Sequence, residues 1–170
     1  MGHVNAAQLI NQTSGKTEYY TPQPILEAAR ATMGGIDLDP ASSAAANARV
    51  NATRYYTLGD FSLLLSWSGR IWLNHPFGRE SNPRWIAKLI KESQCDAFKA
   101  ACVLTFSCTS EAWFSPLLCR PQCYLVPRTN YLLPDGTVKR GVTKGSVVTY
   151  FGPDVPRFRK AFSGLGVVKV

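Results

Sequence analysis

Three groups of residues in this sequence have types and spacings suited to chemistry. The first is Asp37-Leu38-Asp39-Pro40, where two carboxylates alternate along a short strand. A carboxylate at a strand end suits a cationic ligand group, held by charge pairing in a partly dry cleft. One of Asp37 and Asp39 is expected at the cleft and the other in helix packing. The second is Asn74-His75-Pro76-Phe77-Gly78, directly after the apolar run Arg70-Ile71-Trp72-Leu73. Asn, Pro and Gly behind a strand are ordinary turn formers, so their meaning depends on their surroundings. The third is the basic set Arg128, Lys139, Arg140 and Lys144, opposed within its stretch only by Asp135. On a projecting hairpin beside a cleft, such residues suit phosphate contacts on DNA. A solvated basic loop is the plain alternative.

These residues need elements to aim them. Residues 1–17 are polar, small and without period, and read as a flexible N-terminal arm ahead of one domain over 18–170. Thr21 reads as an N-cap, with Pro22 at the first helical position of a helix through Ile25-Leu26-Glu27-Ala28-Ala29-Arg30. Gly34-Gly35 stops it. A short strand follows over Ile36–Pro40, then an alanine-rich helix or helical loop from Ser42 to Ala52. Gly69–Leu73 reads as a buried strand, and Asn82-Pro83 caps a helix over Arg84–Glu92. Ala100–Phe106 is continuously apolar, as in a parallel strand covered on both faces. Thr109 or Ser110 opens a third helix through Leu118.

Beyond that point the texture changes. Cys123–Val126, Tyr131–Leu133 and Val147–Phe151 read as antiparallel strands around the turn Pro134-Asp135-Gly136. A helix over Val155–Phe162 and a strand over Val167–Val170 complete the chain. The whole predicts an α/β sheet, mostly parallel, with an antiparallel C-terminal hairpin. In such sheets ligands bind beyond the carboxyl ends of the strands, where both polar segments fall.

Composition narrows the class. The 170 residues carry 19 Lys+Arg against 11 Asp+Glu, a formal net charge of +8. That excess suits a polyanionic partner, nucleic acid first, with solubility alone as the equal alternative. With 45% hydrophobic residues the chain is one that folds rather than a disordered one. No apolar run approaches the ~20 residues of a membrane span, and the N-terminus lacks a secretory pattern. A soluble, cytoplasmic protein without membrane association is expected. Five cysteines without a C-x-x-C pair and two histidines, His3 and His75, do not make a zinc site, so no metal is expected.

The order of motifs is more specific than any one of them. Tyr19-Tyr20-Thr21-Pro22 is followed by Asp37-Leu38-Asp39-Pro40-Ala41-Ser42, then Arg54-Tyr55-Tyr56-Thr57, then Trp67-x-Gly69-Arg70-x-Trp72-x-Asn74. With Asn74-His75-Pro76-Phe77, Trp113-Phe114 and Gly145-Ser146-Val147-Val148, the chain resembles the phage-type DNA N6-adenine methyltransferases, the Dam-like family of bacteriophages and prophages. The resemblance spans about residues 18–152.

That resemblance implies a Rossmann-like class I methyltransferase fold, S-adenosyl-L-methionine as cofactor and DNA as partner, with monomer and homodimer both open. It implies a bacterial host cytoplasm as location. The adenine amine is a poor nucleophile because its lone pair is delocalised into the ring. Two acceptors must hold its N–H bonds: the Asn74 side-chain oxygen and the backbone carbonyl of His75. Pro76 keeps both aimed, and Phe77 stacks on the flipped base.

His75 departs from the family's usual proline, which leaves the carbonyl but puts rigidity in doubt; the imidazole is open to contacts with phosphate or base. Either Asp37 or Asp39 is implied to meet the cofactor's ammonium. Tyr20, Thr21 and Pro22 offer helix-start N–H groups to its carboxylate, and Pro40 and Ala41 border it. Asp60 is a candidate for its ribose or adenine end, with an exposed loop acid as the alternative. No glycine-rich cofactor loop follows Ile36-Asp37-Leu38. Two other readings stand beside this one: a catalytically weak nucleic-acid-binding relative, and a cytosine-N4 methyltransferase.

Overall fold

The structure is a computed structural model that describes residues 19–133, 135–140 and 142–170. The arm expected over 1–17, and Pro134 of the expected turn, lie outside the described residues. Strands β1 (Leu38–Asp39), β2 (Arg54–Tyr55), β3 (Gly69–Leu73), β4 (Phe98–Phe106), β5 (Gln122–Leu125), β6 (Ser146–Phe151) and β7 (Gly166–Lys169) form one sheet. Their order is β2-β1-β3-β4-β6-β5-β7. The first four run parallel, and the pairings β4–β6, β6–β5 and β5–β7 are antiparallel. Among the described residues the fold is a mixed α/β sheet with a parallel core and antiparallel C-terminal strands, the coarse class the sequence indicates.

Strand alternation divides the core. Along β4, Ala101 and Val103 face one layer and Cys102 and Leu104 the other, all fully buried. Helices α1 (Gln23–Met33) and α4 (Val155–Phe162) cover the Cys102 face through Leu26, Ala29, Phe158 and Phe162. Helix α3 (Ser81–Glu92) covers the other through Ile86 and Leu89. Helix α2 (Ala44–Val50) is shorter than its alanine run because Ser43 caps it and Asn51 ends it in a left-handed conformation.

Three expectations about local structure are corrected. Thr21 does not cap α1; Pro22 occupies that position without a side-chain bond, and the Thr21 hydroxyl is engaged elsewhere. No third helix runs to Leu118. Pro116 withholds the N–H that an α-helical turn needs there, and the segment winds as a 3-10 turn over Ser115–Leu117. Tyr131–Leu133 does not join the sheet: Leu132 makes single bridges to Tyr20 and Val138. Cysteines also divide, with Cys102 and Cys123 buried and Cys95 and Cys119 exposed. Gly34 ends α1 as expected, at φ +78°, with its N–H on the Arg30 carbonyl.

The contact between β1 and β3 is clamped by side chains. Asp37 accepts from the Arg70 guanidinium at both oxygens, 2.6 and 2.9 Å, and from the Arg70 backbone N–H at 2.8 Å. Arg70 holds the Asp37 carboxyl down at about pKa 2. Gly69 makes the approach possible: it sits at φ +79°, and a Cβ there would lie 2.5 Å from Asp37 Oδ2. Gly69→Ala should therefore cost more than the ~1–2 kcal/mol of a left-handed non-glycine residue, because Cβ also displaces the carboxylate. Urea unfolding checks this, and an unchanged midpoint would refute the clamp.

Candidate active site

The carboxyl end of β1 carries Asp39, only 2% exposed. Its Oδ1 accepts the Ala41 N–H at 3.1 Å, and its backbone carbonyl accepts the Tyr56 N–H at 2.9 Å. No cation faces it among the described residues. Burial pushes its carboxyl up to about pKa 7, with the Ala41 N–H and Ser42 hydroxyl partly opposing the shift. Asp37, two residues earlier, spends both oxygens on Arg70. Asp39 is thus the carboxylate left without a cation. Pro40 is buried behind it, and the Ala41 N–H is already spent on Asp39.

At the carboxyl end of β3, Asn74 is half-buried and donates from Nδ2 to the Tyr19 carbonyl and to Thr21 Oγ1, each at 3.2 Å. Asn74 Oδ1 has no donor among the described residues. His75 is 2% exposed, its ring stacked on Trp85 at 6.1 Å and 9° and meeting Phe77 edge-on at 5.6 Å. Nδ1 lies 3.0 Å from the Pro76 carbonyl, which can only accept, so Nδ1 carries the proton. Nε2 is buried without a partner among the described residues. Burial pulls the imidazole down to about pKa 4, so it is neutral near pH 7. The ring is thus enclosed rather than presented at the surface. Pro76 is exposed at the loop's tip.

Phe77 belongs to an aromatic cluster that sequence spacing does not reveal. Its ring lies 4.6 Å from Phe106 and 6.2 Å from Tyr131, and Tyr131 is 6.1 Å from Tyr19. Tyr131 is fixed by a 2.8 Å bond between its hydroxyl and Ser146 Oγ, and burial raises its phenol to about pKa 12. A small cavity opens among Tyr19, Phe77, Phe106, Tyr131, Lys139 and Val142. Phe106 had one readable signal, since it ends β4 at the same sheet edge where Asn74 follows β3.

The remaining candidates separate. Lys139 lines the aromatic cavity and Lys144 Nζ lies 5.8 Å over the Phe106 ring. Arg128 and Arg140 are exposed. Tyr20 is buried and its N–H goes to the Leu132 carbonyl at 2.8 Å, so that donor is not available to a ligand carboxylate. Pro22 has no N–H to offer. Asp60 is exposed and closes a capping box with Thr57, whose N–H and hydroxyl it accepts at 2.6 and 2.7 Å. These bonds hold its carboxyl below the usual range.

A polar amide and an aromatic ring thus sit at one strand end, and at the next a buried carboxylate that no cation among the described residues pairs. The chain matches the family model for DNA N-6-adenine-methyltransferase (Dam) over residues 11–123. It belongs to the Dam family. No curated protein matches it. The match takes in Thr21, Asp39, Asn74–Phe77 and Phe106, and stops short of Tyr131, Lys139 and Lys144. Among the described residues of this Dam-family chain, no helix is long and apolar enough to cross a membrane.

The Asp39 environment has a measurable consequence. Its folded pKa of about 7 lies above that of an unfolded aspartate, so its stabilising contribution is complete below about pH 4 and lost as pH rises through 7. Asp39→Asn keeps the acceptor for Ala41 and removes the titration. The variant's Tm should gain on the parent between pH 5 and pH 8. A gap that stays constant across that range would mean an ordinary carboxyl.

Proposed function

We propose that this chain methylates the N6 amine of adenine in DNA with S-adenosyl-L-methionine, on a Rossmann-like class I methyltransferase fold. The observation that carries the reading is the Asn74 amide. Its nitrogen is engaged inside the protein and its oxygen has no donor among the described residues, three positions before the Phe77 ring of the aromatic cluster. A parallel core with an antiparallel strand between β4 and β5 supports the fold assignment.

The chain's own residues fit the cofactor where it can be tested. A buried carboxylate with no internal cation suits the ammonium of the methionine moiety, and Asp39 would hold it there. Thr21's backbone N–H and Pro40 would border the same moiety, with Asp60 toward the ribose. When bound, S-adenosyl-L-methionine supplies an electrophilic methyl group on a sulfonium. Asn74 Oδ1 and the His75 carbonyl would accept the two N–H bonds of the adenine amine and draw its nitrogen toward tetrahedral geometry. Phe77 would stack on the base, and Pro76 with the His75–Trp85 stack would keep the acceptors aimed. The imidazole, neutral and enclosed, takes no proton in this scheme. Lys139 at the cavity, Lys144 over the Phe106 ring, and the exposed Arg128 and Arg140 would contact phosphates.

Mass spectrometry of nucleosides from unmethylated DNA incubated with protein and cofactor tests the proposal. N6-methyldeoxyadenosine is expected; N4-methyldeoxycytidine, or no methylated base, would overturn it. Asn74→Ala should lower turnover by ~100-fold or more with little change in cofactor affinity, as loss of an oriented transition-state contact does. His75→Ala keeps the carbonyl and should stay at least about tenfold more active than Asn74→Ala. Equal loss in both would make the ring, through its Trp85 stack or directly, as necessary as the Asn74 amide.

Neutralising Lys139, Arg140 and Lys144 together should flatten the salt dependence of DNA binding while leaving cofactor affinity alone. Equal salt slopes for variant and parent would remove these residues from the DNA interface.

A further inference from the structure

The partners of Asn74 assign a role to a residue that the sequence placed at the cofactor. Residues 19–21 run as an extended segment whose central residue exchanges both backbone bonds with Leu132: Tyr20 N–H to the Leu132 carbonyl at 2.8 Å, and Leu132 N–H to the Tyr20 carbonyl at 2.9 Å. Successive peptide carbonyls in an extended chain point opposite ways. Pinning the Tyr20 N–H on Leu132 therefore turns the Tyr19 carbonyl away from Leu132, and it meets Asn74 Nδ2 at 3.2 Å. The Thr21 hydroxyl, on a residue only 4% exposed, meets the same nitrogen at 3.2 Å.

The geometry settles which end of the amide faces inward. A carbonyl only accepts, so the atom opposite Tyr19 must be the amide nitrogen. The reversed amide would set two oxygens against each other. The NH2 group has two N–H bonds, coplanar with its carbonyl. One acceptor leaves the amide plane free to rock, whereas two acceptors fix both the identity of the outward atom and the plane in which its lone pairs lie. Thr21 also explains its own failure to cap α1: its oxygen already has a donor.

We infer that Thr21 is a positioning residue for the transfer, its hydroxyl acting with the Tyr19 carbonyl to lock the Asn74 amide with Oδ1 toward the substrate amine. This rests on the function proposed above. It predicts that the Thr21 side chain governs the chemical step, while cofactor affinity depends at most on its backbone.

The test uses the full chain and three forms. Thr21→Val is close in volume, keeps the backbone N–H and removes the acceptor; Thr21→Ser keeps the acceptor. Thr21→Val should lower kcat by about tenfold while the KM for DNA and the Kd for S-adenosyl-L-methionine stay within about twofold. Thr21→Ser should recover most of the loss. An unaltered cofactor Kd also reports that the valine variant is folded.

A second readout does not use activity. With asparagines labelled with 15N, and the Asn74 side-chain signals assigned by their disappearance in Asn74→Ala, the valine variant should shift one amide proton upfield and speed its exchange. Serine should restore both. A valine variant with parental kcat, a defect confined to KM, or unmoved Asn74 amide signals would each overturn the inference. If the parent protein transfers no methyl group, the function proposed above fails, and the amide signals alone decide whether Thr21 locks Asn74.

Discussion

The site depends on how β1 and β3 are fixed side by side. β1 is two residues long, and a single register pair, Leu38 opposite Ile71, joins it to β3. So short a ladder leaves much of the alignment to the contacts around Asp37, whose own N–H bonds the Arg70 carbonyl at 2.7 Å. The Asp37 carboxylate, gripped by the Arg70 guanidinium and backbone N–H, supplies it just before the ladder begins. Because side chains alternate along a strand, anchoring Asp37 also dictates where Asp39 sits. One ion pair thereby sets the relative height of the two strand ends that carry Asp39 and Asn74.

The two aspartates show how environment separates identical groups. Asp37 has a cation and titrates far below the normal range, whereas Asp39 is enclosed with one backbone donor and titrates far above it. A protein that holds an uncompensated carboxylate of this kind gives up stability near neutral pH. His75 makes the complementary point. Where a proline would restrict the loop through its own ring, this chain has an imidazole that is buried and parallel to the Trp85 ring.

Much of this was legible in the sequence because it is local. Gly34 ends α1, the strand read over Val147–Phe151 and the helix read over Val155–Phe162 are both present, and both polar segments follow their strands. What was hidden is what the fold brings together from afar. Nothing in the spacing of Tyr19, Phe106 and Tyr131 indicates that their rings gather around Phe77. Thr21 before a proline has the local signature of a cap, and only its distant partner Asn74 overrides that preference. The segment after Thr109 reads as a helix from its polar start, but Pro116 and the buried anchors Phe114 and Leu117 favour a tighter turn. That Asp37 is paired with a cation and Asp39 is not depends on Arg70, which is 33 positions away from Asp37 in sequence.

The bridge between Tyr20 and Leu132 bears on the order in which the molecule is completed. A chain emerging from synthesis N-terminus first can assemble β1 to β4, with the ion clamp, well before Leu132 exists. The segment that orients Asn74 stays without its backbone partner until then, and Tyr131 lacks its Ser146 bond until β6 begins. Contacts so far apart in sequence form late, because their loop-closure entropy is met only when the rest is in place. The scaffold therefore precedes the aromatic pocket, and a truncated chain ending before Ser146 would carry the strand ends without the finished cavity between them.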